Sequence, residues 1–600
     1  MILFFKLPPN DIFDKVILKV LSSYFLNSKL NQIIQINLQL LQQHVYTISK
    51  TCALLGIKHA VICPGSRSAP LVYAFTQEKN ITCYSIIDER SAAYIALGMA
   101  QQLQEPVVLI CTSGTASLNF YPAIAEAFYQ KIPLIILTAD RPPELLNQQD
   151  GQMVKQKNVF GGHVLASFEL ENYFHGKENI KETSTIISNG INISNGIVKG
   201  PVHINVPLSE PLYPTKENKF ESLSVREFES AIQTIKQANF QTFNKAWFES
   251  KKKIILIGQY PVDNNLFTQL FELNKHQDVV ILCDVLSNKQ SVCTAPHFDF
   301  TISQCSEKTL SELEPDMLIT FGGPVLSKSL KLWLKKQKPK YHFRIQPKKE
   351  LVDTYKNVTD YIDANPSIVL TNLPENLKEN TFSDFKNLWK KIDELASVKI
   401  KSFLERNNNS SELHAMEIII NNLPDAINLQ ISNSSSIRYI SLIGNLNPSW
   451  TVSGNRGTSG IDGCASTAVG AAIINNKPTI FITGDLSFLY DRNALWNNHV
   501  PDNLRIIIFN NFGGGIFQLI DGPSSHKKQL SYFTTPHQQS VKNTAIDNGL
   551  DYYFCASQND LSKTLKEFLD PNKKAAVLEL KFDRNENAKI FKQFKKIKLI

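Results

Sequence analysis

The stretch PTIFITGDLSFLYDRNALWNNHVPDNLRIIIFNN (478–511) holds two apolar runs, each closed by a polar tip. PTIFIT ends in Gly484-Asp485, and LRIIIF ends in Asn510-Asn511. Apolar runs without polar alternation read as strands buried on both faces, as in a parallel sheet covered by helices. The interval between the tips accommodates one crossover helix and a return strand, and DRNALWNN (491–498) is the expected helix. Ligands of open parallel sheets gather beyond the carboxyl ends of the strands, so Asp485 and Asn511 are candidate ligand-binding groups. A carboxylate and an amide oxygen suit a hard cation such as Mg²⁺, which keeps phosphate oxygens in its shell. Gly513-Gly514-Gly515, directly after Asn511, let backbone groups approach a ligand closely. Taken alone, the pair is equally compatible with Asp485 capping a helix and Asn511 lying in a turn.

The same pattern recurs along the chain. AVICPG (60–65), ITCYSIID (81–88), PVVLICTSG (106–114) and PLIILTAD (133–140) alternate with helical segments in a first block. KKIILIGQY (252–260), DVVILCD (278–284), PDMLITFGG (315–323) and KYHFRIQP (340–347) form a second set with less distinctive loops. INLQISNSS (427–435), the two runs quoted above and AAVLELKF (575–582) form a third, with ASTAVGAAIIN (465–475) as a helix between them. The polar run RNNNSSEL (406–413) reads as a linker or helix cap. The expected architecture is therefore α/β, with three doubly wound parallel-sheet domains. The boundaries fall at residues 1–36 for an N-terminal extension, then 37–213, 214–400 and 401–600.

The 600 residues exceed what one core supports. A composition of 43% hydrophobic and 20% charged residues is that of an ordinary globular protein. The net charge of +8 is small for this length, and the Lys-rich runs KKQKPK (335–340) and KQFKKIKLI (592–600) carry no interleaved aromatic residues, so no nucleic-acid partner is expected. Nine cysteines without C-x-x-C spacing, several inside apolar runs, point away from zinc or a disulfide framework. They point to a reducing compartment, the cytoplasm. Pro8-Pro9, Asp11, Asp14 and Lys15 interrupt the apolar N-terminus, so no membrane span is expected.

The GD…NN interval resembles the metal–diphosphate signature of thiamine diphosphate (ThDP) enzymes. The resemblance implies that Asp485, Asn511 and the carbonyl of Gly513 hold Mg²⁺, or Mn²⁺, against the cofactor's diphosphate, with Gly484, Leu486 and Ser487 alongside. Leu486 departs from the pattern, which usually has glycine there. These enzymes also need one carboxylate to hydrogen-bond N1′ of the cofactor's aminopyrimidine. Glu89, in IIDERSAAYIALGMA (86–100), opens a helix after a strand, the junction where ThDP enzymes carry that acid. By itself it reads as a first-turn acid favoured by the helix dipole. The resemblance names 37–213 the pyrimidine-binding domain and 401–600 the diphosphate-binding domain. It also implies a homodimer or homotetramer, because the two domains that meet at each cofactor come from different copies.

Four further stretches each place an arginine on a Gly/Ser/Pro-rich loop: CPGSRSAPL (63–71), TADRPPEL (138–145), SNSSSIR (432–438) and SGNRGTSGIDGCASTAVGAA (453–472). Clustered guanidinium groups suit carboxylates, although any one of these arginines could be an ordinary loop staple. PGSRSAPL, DERSAA, TSGTA, TADRPPEL, NRGTSGIDG and GDLSF, in that order, closely resemble the MenD family of the menaquinone pathway, from about residue 40 to 600. The implied reaction is decarboxylation of 2-oxoglutarate and 1,4-addition of the succinyl unit to isochorismate, both dicarboxylates. The implied substrate contacts are Ser66, Arg67, Arg141, Gln152, Ser434, Arg438 and Arg456, with Lys155 a further basic residue. Ile461, Ile516 and Phe517 are implied to pack on the cofactor rings. GQMVKQ (151–156) and SNSSSIR match their family loops only in part. His163, His203 and His499 belong to none of these motifs and read as structural. An acetolactate-synthase-type ThDP enzyme would share Glu89, Asp485 and Asn511 but has no need of PGSRS or NRGTSGIDG, and block two lacks a G-x-G-x-x-G run. A non-catalytic relative of the same fold has no need to retain both the acid and the metal ligands.

Overall fold

The computed structural model describes residues 44–171, 177–210, 212–213, 237–347, 350–373, 384–406 and 411–599. The N-terminal extension at 1–36 lies outside the described residues, as do residues 407–410 of the polar run.

Three parallel sheets follow one another. The first contains β1 (His59–Ile62), β2 (Thr82–Ser85), β3 (Val107–Cys111), β4 (Leu134–Asp140), β5 (Ala166–Glu169) and β6 (Pro201–Pro207), in the order 2-1-3-4-6-5. The second contains β7 (Lys253–Ile257), β8 (Val279–Cys283), β9 (Met317–Phe321), β10 (Tyr341–Gln346) and β11 (Asp360–Asp363), in the order 11-10-9-7-8. The third contains β12 (Asn428–Ile431), β13 (Thr451–Ser453), β14 (Thr479–Gly484), β15 (Leu504–Asn510), β16 (Asp551–Cys555) and β17 (Ala576–Lys581), in the order 13-12-14-15-17-16. The third sheet thus repeats the strand order of the first. The central strands β3, β4, β6 and β15 are buried along their whole length, as unalternating apolar runs require. Reversal of strand order leaves a crevice beyond the carboxyl ends of β1 and β3, and another beyond β12 and β14.

The first and third domains are joined by two helices, α1 (Glu89–Leu103) and α2 (Cys464–Ile474). A Cβ at Gly98 would lie 2.0 Å from the Thr467 carbonyl oxygen, and one at Gly470 would lie 2.0 Å from the Ile95 carbonyl oxygen. Only glycine permits such backbone contact, which explains the small-residue composition of both segments. The apolar cluster around this crossing runs through Ile95, Leu97, Ala468, Phe481 and Ile506. A second cluster joins the middle sheet to the third through Leu282, Trp389, Ile437 and Ile480.

One expected element differs. The helix after β14 is Asp485–Tyr490, and within DRNALWNN only Arg492–Leu495 turns, as a short 3₁₀ segment. The cause is Asp491, a buried residue whose carboxylate accepts from the Ser466 N–H at 2.7 Å and the Ser466 hydroxyl at 3.0 Å, so that it faces α2 and ends the helix. Ser411 does cap the next helix, Glu412–Asn422, accepting from the His414 N–H at 3.2 Å. All nine cysteines are free thiols. No helix among the described residues is long and apolar enough to cross a membrane.

Candidate active site

Asp485 begins its helix immediately beyond β14 and is 2% exposed. Its Oδ1 accepts from the Leu486 N–H at 2.7 Å, and its Oδ2 accepts from the Gly513 N–H at 2.9 Å. Burial pushes its pKa up, opposed by those N–H donors and by His537. His537 Nε2 lies 3.2 Å from Asp485 Oδ2. Its Nδ1 accepts from the Gln539 N–H at 3.0 Å, so a neutral ring carries its proton on Nε2, toward Asp485. Asn511, beyond β15, donates Nδ2 to Glu412 Oε1 at 2.6 Å. Its Oδ1 is buried and accepts no hydrogen bond among the described residues. Gly513 has a φ of 152°, and a Cβ there would lie 2.4 Å from the Thr534 carbonyl oxygen, so glycine is required.

This geometry tests the fit of a divalent cation. An orphaned amide oxygen costs about 1–3 kcal/mol when buried. Beside a carboxylate it is the oxygen set a hard cation takes. Asp485, Asn511 and the Gly513 carbonyl could hold such an ion. Gly484 borders free space, since a Cβ there would meet no atom within 4 Å. Ser487 is buried, donates to the Ile461 carbonyl at 2.7 Å and accepts from the Ser432 hydroxyl at 3.1 Å, tying the β12 and β14 tips together. Ile461 itself is 38% exposed. Ile516 and Phe517, in the short helix Ile516–Leu519, are half-buried, and the Phe517 ring lies 5.6 Å from that of Phe533.

On the first sheet, Glu89 follows Asp88, whose side chain caps α1 by accepting from the Ser91 N–H at 3.1 Å. Cys63 and Cys111, at the tips of β1 and β3, have thiols pushed well above their ordinary range, mainly by burial and further by the Glu89 carboxylate. Glu89 therefore stands at the switch point of its own sheet. It is half-buried and forms no hydrogen bond or ion pair among the described residues. Its neighbours are anchored to the third domain. Arg90 donates to the Tyr490 carbonyl at 2.9 Å and lies 3.7 Å from Asp491, while Asp88 accepts from Asn493 Nδ2 at 2.7 Å.

The arginines form two pairs. Arg67 is 8% exposed, donates to the Leu208 carbonyl at 2.8 Å and lies 3.4 Å from Glu210. Burial and then the charge of Arg141 lower its pKa. Arg141 donates Nε to the Gly151 carbonyl at 2.8 Å and lies 3.1 Å from Asp150. Arg438 donates to the Ser434 carbonyl at 2.5 Å, and burial, then the charge of Arg456, lowers its pKa. Arg456 donates to Asn433 Oδ1 at 2.8 Å. Asp284 and Asp299 of the middle domain, both raised by burial, face this second pair, as does Lys331. Paired like charges at sheet tips are favourable where anions lie between them. Ser66, Gln152 and Lys155 are exposed, and Ser434 takes a φ of 75° at the start of the helix Ser435–Ile443.

Sequence reasoning missed Glu412, His537, Glu126 and Gln156. Glu126 is fully buried and accepts from the Gly457 N–H at 2.7 Å, the Thr458 N–H at 2.6 Å and the Thr458 hydroxyl at 2.5 Å, so the first domain holds the Arg456 loop. A signal existed: in YPAIAEAFYQ an acid shares the apolar face of Ala123 and Ala127. Gln156 accepts from the Gly114 N–H at 2.8 Å and donates to the Ala139 carbonyl at 3.1 Å. It staples the loop that also contains Gln152. His203 is buried between Thr138 and Ser167 with its pKa lowered to about 4 by burial, a structural role.

Two sheets of one topology, packed through α1 and α2, present an acid on one tip and cation-ready oxygens on the other. Paired sheets of this kind are those of thiamine diphosphate enzymes, and this chain is of that class. Residues 45–159 match the family described as thiamine pyrophosphate enzyme, N-terminal TPP binding domain, and residues 226–431 match the middle domain of thiamine pyrophosphate. The chain is 39% identical over 549 residues to the 2-succinyl-5-enolpyruvyl-6-hydroxy-3-cyclohexene-1-carboxylate synthase of Flavobacterium johnsoniae, covering 91% of this chain and 97% of the relative. It is 37% identical over 557 residues to the synthase of that name from Cytophaga hutchinsonii, covering 92% and 98%. The chain belongs to this synthase family.

Proposed function

We propose that the chain decarboxylates 2-oxoglutarate and adds the succinyl unit to isochorismate in a 1,4 sense, the synthase reaction of menaquinone biosynthesis. Bound thiamine diphosphate supplies the carbon nucleophile and electron sink that such a decarboxylation and carbon–carbon bond formation need. Asp485, Asn511 and the Gly513 carbonyl hold Mg²⁺ or Mn²⁺ against the diphosphate, with Gly484, Leu486 and Ser487 beside it. Ile461, Ile516 and Phe517 pack on the rings. Glu89 would hydrogen-bond N1′ of the cofactor's pyrimidine. Arg438 and Arg456 bind carboxylates from the diphosphate-domain side. Arg67 and Arg141, with Ser66 and Gln152, do so from the pyrimidine-domain side.

The domains run over 37–213, 214–400 and 401–600, and two copies complete each site, the Glu89 face of one against the Asp485 face of the other. The exposed side chains of Leu118, Tyr121, Tyr490 and Trp496 beside these tips support that assembly. The free thiols support a cytoplasmic setting.

The orphaned Oδ1 of buried Asn511 supports the cofactor's cation, and the observation that carries the dicarboxylate reading is the pairing of Arg67 with Arg141 and of Arg438 with Arg456. Purified protein with ThDP and Mg²⁺ is expected to consume 2-oxoglutarate and isochorismate together. Turnover of pyruvate alone in a parallel assay would replace this reading with an acetolactate-type one.

A further inference from the structure

The carboxamide of Asn511 has two chemically different ends, and only one of them is free. Nδ2 is committed to Glu412 Oε1 at 2.6 Å, whereas Oδ1 accepts nothing. Glu412 is 1% exposed and sits on the first turn of the helix Glu412–Asn422, against the third sheet. Its carboxylate is further hydrogen-bonded by Tyr439 and Asn587. Its backbone N–H donates to Asn587 Oδ1 at 3.0 Å, and Asn587 Nδ2 donates to the Tyr439 hydroxyl at 3.1 Å. Every partner of the carboxylate is a donor.

With Asn511, Tyr439 and Asn587 all donating to it, the Glu412 carboxyl is the acceptor in each of these contacts. Rotating the Asn511 amide by half a turn would set its oxygen against Glu412 Oε1, two acceptors at hydrogen-bond distance inside a buried site. Burial makes that contact costly. We infer that Glu412 is a positioning residue for the metal: it locks the carboxamide of Asn511 so that Oδ1 is the end available to the cation. The inference rests on the assignment of Asn511 as a metal ligand. It explains why an otherwise expensive buried carboxylate is kept next to another acid, Asp485, whose charge it feels.

The test is the affinity of ThDP-saturated protein for Mg²⁺, measured by calorimetry or tryptophan fluorescence, alongside thermal melting without metal. Glu412→Leu removes the acceptor and is expected to weaken Mg²⁺ binding about 10- to 100-fold, the usual range for a group that orients a ligand. Glu412→Gln keeps an acceptor oxygen and is expected to stay within about threefold of wild type. A Gln variant as weak as the Leu variant would mean that charge alone matters and would overturn the inference. Should the Leu variant not fold, a swapped pair decides the matter. Asn511→Asp alone faces Glu412 with a second carboxylate and is expected to bind Mg²⁺ at least about tenfold more weakly. Asn511→Asp combined with Glu412→Gln restores one donor and one acceptor and is expected to recover most of the loss. A double variant no better than the single one overturns the inference. Asn511→Ala separates the two layers of the argument. If it leaves Mg²⁺ affinity unchanged, the ligand assignment itself fails. If it weakens binding while Glu412→Leu does not, only the positioning role fails.

Discussion

Arg90 donates a guanidinium N–H to the carbonyl of Tyr490 at 2.9 Å and lies over the Tyr490 ring, 4.8 Å from its centroid. The contact crosses between domains of one chain and lies one residue from Glu89. Asp88, on the other side of Glu89, is bonded to Asn493. The proposed activating acid therefore hangs between two anchors on the segment that begins with Asp485, which couples the acid on one sheet to the cation tip of another. Arg90→Ala is expected to lower kcat about tenfold or more by loosening Glu89. The dissociation constants of Mg²⁺ and ThDP should stay near wild type. A loss of cofactor binding with kcat intact at saturation would show that Arg90 serves the third domain instead.

Glu89→Gln removes the acid while keeping its volume. The expected outcome is retained ThDP and Mg²⁺ binding, read by calorimetry, with turnover reduced about 100-fold or more. Undiminished turnover would take Glu89 out of the chemistry.

Among the described residues the Arg456 guanidinium forms no ion pair; it donates to Asn433, and Glu126 holds the loop through the Gly457 N–H. Arg456→Ala is expected to raise KM for 2-oxoglutarate or isochorismate about 10- to 100-fold, the scale of one charge-assisted contact. Glu126→Gln leaves one acceptor oxygen for donors that now use two, and should raise the same KM while lowering thermal stability. ThDP affinity is the control in both. If ThDP binding is lost and KM is not raised, Arg456 belongs to the cofactor.

The strand tips were legible because buried parallel strands are written as unbroken apolar runs. PTIFIT and LRIIIF could hardly be anything else, and Asp485, Asn511 and Glu89 follow such runs directly. The edge strands β5 and β13 were not legible, since ASFE and TVS are short and half-polar. The helix register after Asp485 was misread because a buried acid, Asp491, ends it through a contact with Ser466 on a distant segment. Glu412 was hidden for a related reason. Next to Ser411 it looks like the first-turn acid of a capped helix, and only the fold brings it to Asn511. His537 lies in a loop with no periodicity, so its contact with Asp485 has no local signature. What the chain does not spell out locally is the set of polar contacts made across domains.

The same buried Asp491 gives stability a pH dependence. Burial raises its pKa from 3.8 to about 7, against hydrogen bonds from Ser466 and the charge of Arg90. In the unfolded chain the carboxyl ionises near its ordinary value. From there to about 7, the folded state holds a proton that the unfolded state has released. The stability this provides is complete below about pH 4, falls as pH rises through about 7, and is gone above it. Asp491→Asn cannot ionise and escapes that loss. The Tm of the variant, relative to wild type, is expected to rise between about pH 5 and about pH 8, even if the lost Arg90 attraction lowers it at both. A Tm difference that stays constant across this range would mean that Asp491 is ionised throughout, with Arg90 close enough to hold its charge.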